Sequence, residues 1–242
     1  QSRSSAASDV YKRQPIVIAK NVLKYPEQVR EYLENGYWWM NRCIDSNIRP
    51  GKSFDFGFNV ETYFNPLIKQ FTKFYNVDDI EPIEFYGNCY NGNADLYTTM
   101  SYLPHVDTFP GADKGINPLN DYAFNLNVTK SDKVKTAFYS FNGKKSVCDW
   151  TPDDYDDHDR VRDRHKKIKA KDWRLLSSEN FQNYQLEYVA NIEYNSLILY
   201  PSHYWHSVYI KEDWFTDTDR VTFTGFFETK TTSSKTKKLG FG

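Results

Sequence analysis

The chain has little cysteine, no long apolar run, no surplus of charge of either sign and no stretch that reads as a linker. Each shortage closes off a class of protein. Cys43, Cys89 and Cys148, an odd number at wide spacings, make neither a disulfide framework nor a zinc knuckle. They fit a reduced, intracellular setting, and a cytoplasmic location is the expectation. Nothing approaches the roughly 18 consecutive apolar residues of a membrane-spanning helix, so no membrane partner is expected. The 31 Lys plus Arg stand against 32 Asp plus Glu, a formal charge of -1. That leaves no overall basic field to hold nucleic acid. Without a linker between halves, the 242 residues are expected to form one main domain.

What the chain does have is aromatic residues, 17% of the total, with 19 Tyr and 17 Phe. These favour strands over helices. The hydrophobic share of 39% is enough for a substantial core. The first fourteen residues are rich in Ser and Ala, lack the apolar region of a signal peptide, and resemble translated sequencing-adapter read-through. Residues 1–14 are therefore set aside as a non-native or disordered leader, and the lysine-rich 230–242 is expected to be a flexible tail.

Between these ends the patterns can be taken in order. Ile16 to Ala19 is strand-like, and Tyr25 to Leu33 reads as a helix with Pro26 in its first turn and Asn35-Gly36 at its end. Val60, Tyr63, Phe64, Leu67, Ile68, Phe71 and Phe74, at spacings of three and four, predict a second helix. Ile80 to Cys89 is a strand region interrupted by a Tyr86-Gly87 turn, and Asn91-Gly-Asn93 turns into a strand that ends at Tyr102. Tyr122 to Val128 alternates: Tyr122, Phe124, Leu126 and Val128 on an apolar face, Ala123, Asn125 and Asn127 on the other. This predicts an antiparallel sheet with one packed and one polar face. Thr136 to Phe141 is a further strand, closed by an Asn142-Gly143 turn. The charged insert 149–179 reads as a solvated helix or loop, with a metal site at Asp156 and His158 as the other reading. Strands resume at Tyr184, Leu197, His206 and Arg220. The expected fold class is mostly β with a smaller helical part (α+β): N-terminal helices over 15–80 buttress a barrel or jelly roll over 81–229.

Chemistry concentrates at Ser101 to Phe109. In an extended segment His105 and Asp107 project from one face and Val106 from the other. About a hundred residues downstream a buried strand, Ser196 to Tyr200, turns through Pro201-Ser202 toward His206, and Arg220 follows. Two histidines and one carboxylate on one side of an ion are the ligand set of non-haem iron(II) oxygenases. His203 is the rival ligand, but three positions from His206 it faces the other way in an extended chain. Tyr97 shares the parity of His105. Trp205 and Trp214 lie near the site, as packing or as a stacking surface. Arg220 either faces a cavity with Thr222 and Thr224 or lies on the surface beside Asp217 and Asp219.

The order His105-x-Asp107, Pro201-Ser-x-x-x-His206, Arg220-x-Thr222 resembles the double-stranded β-helix (jelly-roll, cupin-like) of iron(II)- and 2-oxoglutarate-dependent oxygenases. The prolyl-hydroxylase-like branch is nearest, through Tyr102-x-x-His-x-Asp and Asn125-Leu-Asn127. The resemblance implies that His105, Asp107 and His206 hold Fe(II). It implies that Arg220, with Thr222 beside it, holds 2-oxoglutarate as cosubstrate, and that O2 is consumed. Asn125, which stands where related hydroxylases often carry Tyr, and Tyr97, by its parity with His105, are the further candidates for the cosubstrate. The implied reaction hydroxylates a peptidyl residue, an amino acid or a small metabolite, with release of succinate and CO2. A peptide or small-molecule partner follows; oligomeric state is not legible. The competing reading is a non-catalytic, lectin- or cupin-like jelly roll with satisfied histidines.

Overall fold

The computed structural model describes residues 16–35, 52–55, 79–90, 103–107, 121–167, 183–211 and 214–230. Among the described residues, nine strands and two α-helices follow in order: β1 Val17–Lys20, α1 Pro26–Asn35, β2 Lys52–Asp55, β3 Asp79–Tyr90, β4 Asp121–Asn127, β5 Lys135–Phe141, α2 Pro152–His165, β6 Tyr184–Asn191, β7 Ser196–Pro201, β8 His206–Val208 and β9 Arg220–Lys230. A short 3-10 turn, Val147–Asp149, leads into α2. The second expected helix (Val60 to Phe74), the Asn91-Gly-Asn93 turn, Tyr97 and the leader lie outside the described residues, as does the tail beyond Lys230.

All the pairings are antiparallel, in two sheets. The larger runs β1-β7-β4-β9-β3-β2 and the smaller β6-β5-β8. Alternation along the central strands decides which side chains meet. Tyr122, Phe124, Leu126 and Val128 join Leu197, Leu199, Val221, Phe223, Phe227 and Leu33 of α1 in one buried cluster, so α1 covers the outer face of the large sheet. The opposite face does not stay polar. Ala123, Ile198 and Tyr200 pack against Val134, Phe138, Ala190 and Ile192 of the small sheet and the loops that flank it. The expectation of one packed and one polar face is thus corrected: the second sheet covers the side that carries Ala123, Asn125 and Asn127. Asn127 is fully buried there because its amide is satisfied, donating to Ile192 O (2.8 Å) and Thr129 O (3.2 Å) and accepting from Thr129 N (2.7 Å).

Three further expectations need adjusting. The Tyr86-Gly87 turn does not form: β3 runs unbroken, with Gly87 opposite Phe223 of β9 on one side and Phe54 of β2 on the other. Two ladders of backbone hydrogen bonds outweigh the local turn preference of one glycine. At the far end, Lys230 still pairs with Asp79, so the strand outruns the expected start of the tail. The Asn142-Gly143 turn is as expected, both residues having positive φ (50° and 76°). It closes a tight hairpin in which Phe141 and Lys144 exchange backbone hydrogen bonds.

The charged insert holds the last adjustment. α2 opens with Pro152 after Thr151, whose backbone N–H and hydroxyl both donate to Asp154 Oδ2 (2.7 and 2.6 Å). Asp154, His158 and His165 are buried, so one face of this helix is packed, not solvated. His158 lies against Phe141, Trp150 and Trp205. That places it in an aromatic box and away from any cluster of metal ligands among the described residues.

Candidate metal centre

The strip 103–107 adds itself to the free side of β8. His105 and His206 face one another across an antiparallel pair and exchange both backbone hydrogen bonds (2.8 and 2.9 Å), while Asp107 N donates to Ser202 O (2.9 Å). Residues directly opposite in such a pair share a face, and a residue two positions along shares it too. One ladder therefore aims His105, His206 and Asp107 at the same point. Their ligand atoms all lie within 4.8 Å of one another. Asp107 sits between the rings, Oδ2 at 3.3 Å from His206 Nε2 and Oδ1 at 3.8 Å from His105 Nε2.

Local contacts fix the His206 imidazole. Its Nδ1 lies 2.9 Å from Tyr204 O. A carbonyl only accepts, so Nδ1 is the donor of this contact and Nε2 is the nitrogen turned toward the cluster. Tyr200 (4.6 Å) and Phe138 (6.4 Å) flank the ring. The side chains of His206 and Asp107 are buried, whereas half of the His105 side chain is exposed, so the cluster opens to solvent on that side. His203 is buried and takes no part in the group. Trp205 is fully buried and stacks on Trp150 at 4.8 Å, so it is packing.

Of the other candidates, Asn125, Thr222 and Arg220 lie on the inner face of the large sheet. Asn125 pairs with Thr224 and Asn127 with Thr222, which puts Thr222, Thr224 and Arg220 on the side shared with Ala123. That side also carries Tyr200 and packs against Phe138, and these are the two rings that flank His206. Arg220 is only 3% exposed, which removes the surface reading, and its Nη1 lies 3.4 Å from Thr222 Oγ1. Asn88 of β3 went unnoticed in the sequence. It pairs with Thr222 and donates from Nδ2 to Thr224 Oγ1 at 2.8 Å. Strand parity would have found it, had the segment not been read as a turn.

The fold has counterparts among solved structures. The fold is similar to that of HygX from Streptomyces hygroscopicus, solved with nickel and 2-oxoglutarate bound (TM-score 0.52, 11% identity, 95% of this chain and 88% of that one). It is similar to SnoN, a non-haem α-ketoglutarate-dependent epimerase from nogalamycin biosynthesis (0.51, 12%, 93% and 84%). SnoK, a carbocyclase of the same biosynthesis, also matches (0.51, 11%, 95% and 84%). At such identities the likeness is one of fold. No family model matches the chain, and no curated protein does.

Proposed function

We propose that this chain is a non-haem iron(II)- and 2-oxoglutarate-dependent dioxygenase acting on a small molecule. The observation that carries the reading is the convergence of His105, Asp107 and His206 on one point. Two donor atoms about 2.1 Å from a shared ion lie at most about 4.2 Å apart. Both Asp107 contacts meet that limit, and the half-exposed His105 has room to swing. Two imidazoles and a carboxylate suit iron(II) and leave coordination positions open. Iron(II) held there supplies the centre at which 2-oxoglutarate and O2 are consumed, with succinate and CO2 released.

The chain's own groups do the holding. His206 is locked by Tyr204 O and its two flanking rings, and Asp107 balances the charge of a cation. Arg220, buried and ionised, is the natural counter-ion for the distal carboxylate of the cosubstrate, with Thr222 and Asn125 beside it. The small-molecule reading gains from HygX, which has been solved with nickel, 2-oxoglutarate and hygromycin B together. Hydroxylation is the outcome we assign, since Asp107 fills the carboxylate position; a peptide substrate is the second reading, on the Tyr102-x-x-His-x-Asp motif.

The test is succinate release with iron(II) and 2-oxoglutarate against a panel of metabolites and peptides. Slow turnover is expected even without substrate. Arg220→Gln should keep its iron and lose about 2 to 5 kcal/mol of 2-oxoglutarate affinity, roughly thirty-fold or more, by anaerobic titration. Metal-free glycan binding with no succinate at any iron concentration would instead make the protein a binding module.

A further inference from the structure

Asn88, Thr224 and Asn125 come from three neighbouring strands, β3, β9 and β4. They form one polar row on the inner face of the large sheet. Thr224 Oγ1 receives Asn88 Nδ2 at 2.8 Å and lies 3.4 Å from Asn125 Nδ2. A threonine hydroxyl has one hydrogen to give and two lone pairs to receive. With both amide nitrogens turned toward it, its own hydrogen has no use within the trio. At the same time Asn125 Oδ1 is buried with no hydrogen-bond partner among the described residues.

Half a turn of the Asn125 amide leaves the shape of the side chain unchanged, pairs the hydroxyl hydrogen with Oδ1 and leaves Nδ2 for a ligand to accept from. The hydroxyl then donates to Asn125 Oδ1, and Asn125 Nδ2 points into the space between the sheets. Asn88 sets this direction. Its donation at 2.8 Å takes one lone pair and polarises the O–H, which makes the hydroxyl hydrogen the stronger offer to Asn125. On the same face stands the buried Arg220 guanidinium, a cation that suits a carboxylate ligand. An amide N–H aimed inward suits a carboxylate, whereas an amide C=O aimed inward repels one.

We propose that Asn88 is a positioning residue: through the Thr224 hydroxyl it holds Asn125 with its nitrogen inward, as a hydrogen-bond donor to the carboxylate-bearing ligand that Arg220 counters. This rests on the oxygenase reading, with 2-oxoglutarate as the ligand.

The experiment is anaerobic calorimetric titration of the iron(II)-loaded protein with 2-oxoglutarate, with iron content measured for every variant. Asn125→Ala should weaken binding about tenfold or more, the loss of a hydrogen bond to a charged group. Asn88→Ala and Thr224→Val should each weaken it several-fold, Thr224→Ser should restore it, and iron should stay stoichiometric throughout. The double variant Asn88→Ala/Asn125→Ala should bind no worse than Asn125→Ala alone, because Asn88 acts only through Asn125. Unchanged affinity in Asn88→Ala, or a double variant whose loss is the product of the two single losses, would overturn the proposal. If Asn88→Ala does not fold, the Thr224 pair decides, and equal affinities for Val and Ser would overturn it. Absence of 2-oxoglutarate binding by the unsubstituted protein would sink the oxygenase reading and this inference together; where binding occurs, the variants speak to Asn88 alone.

Discussion

His203 and His206 stand three positions apart, and only the second shares a face with Asp107. His203 lies edge-on to Tyr204 at 5.1 Å, and its carbonyl accepts from Val147 N (3.3 Å). His206→Ala should therefore lose stoichiometric iron, while His203→Ala should keep it and only melt earlier. Metal content after dialysis checks both, and the opposite result would reassign the ligand. The spacing of His105 and Asp107 was legible from the chain because strand side chains repeat every two residues. Their pairing with His206 was not. Register between distant segments depends on everything that packs around them, and no local pattern encodes which histidine will stand opposite which. Asn88 was hidden for a related reason, since a glycine at position 87 looks like a turn until two neighbouring strands claim the backbone on either side of it.

α2 shows what charge patterning conceals. Its buried face is made of Asp154, His158 and His165, with the partly buried Val161 packed beside them, so hydrophobic periodicity is nearly absent from a helix that is nonetheless packed. Burial alone would raise the Asp154 carboxyl. Hydrogen bonds from Lys144, Thr151 and Asn142 more than offset it and hold the group well below the usual carboxylate range. His158 is lowered from its ordinary value, by burial first and by Arg162 second, against an opposing pull from Asp159. Both shifts act in the same direction on stability. The unfolded chain takes up a proton at His158 below about pH 6.5 and at Asp154 below about pH 4, before the folded chain does. Each contribution is therefore complete above those values and is lost progressively as the pH falls from them toward the lower values of the folded chain. Urea midpoints should fall in two waves between pH 7 and pH 3. His158→Gln should flatten the first wave. Asp154→Asn should flatten the second and cost about 2 kcal/mol at neutral pH, by stranding Lys144. A midpoint independent of pH across this range would remove α2 as an acid-sensitive element.

At the scale of the molecule, the two sheets divide the proposed site. The small sheet with its added strip carries the three candidate ligands, and the large sheet carries Arg220, Thr222 and Asn125. Ligands seated on each should raise the melting temperature separately. Iron(II) at a hundred times its dissociation constant should contribute about 2.7 kcal/mol, and 2-oxoglutarate a similar amount on top. Under anaerobic scanning calorimetry, Arg220→Gln should keep the first increment and lose the second, and His206→Ala should lose the first. Gains that survive both substitutions would place the ligands elsewhere. The outline of alternating strands was legible in the sequence because Tyr122 to Val128 and Val221 to Phe223 obey a two-residue period. The second sheet closing over Ala123 and Asn127 was not, since a small residue and a satisfied amide give no hydrophobic signal.

The pair His105–His206 joins the ends of a loop that contains β4, β5, α2, β6 and β7. Closing so long a loop is unfavourable in chain entropy, and here a short strip of backbone hydrogen bonds is what holds the seam. An ion gripped from both sides of it is a cross-link that can be put in and taken out. By analogy with a disulfide across about a hundred residues, such a link restricts the unfolded chain by up to about 4.7 kcal/mol. Stripping the metal would then loosen the seam ahead of the rest of the molecule. Amide hydrogens at His105 and Asp107 would exchange before those of β4 or β7, so the proposed metal centre would also be where the chain starts to open.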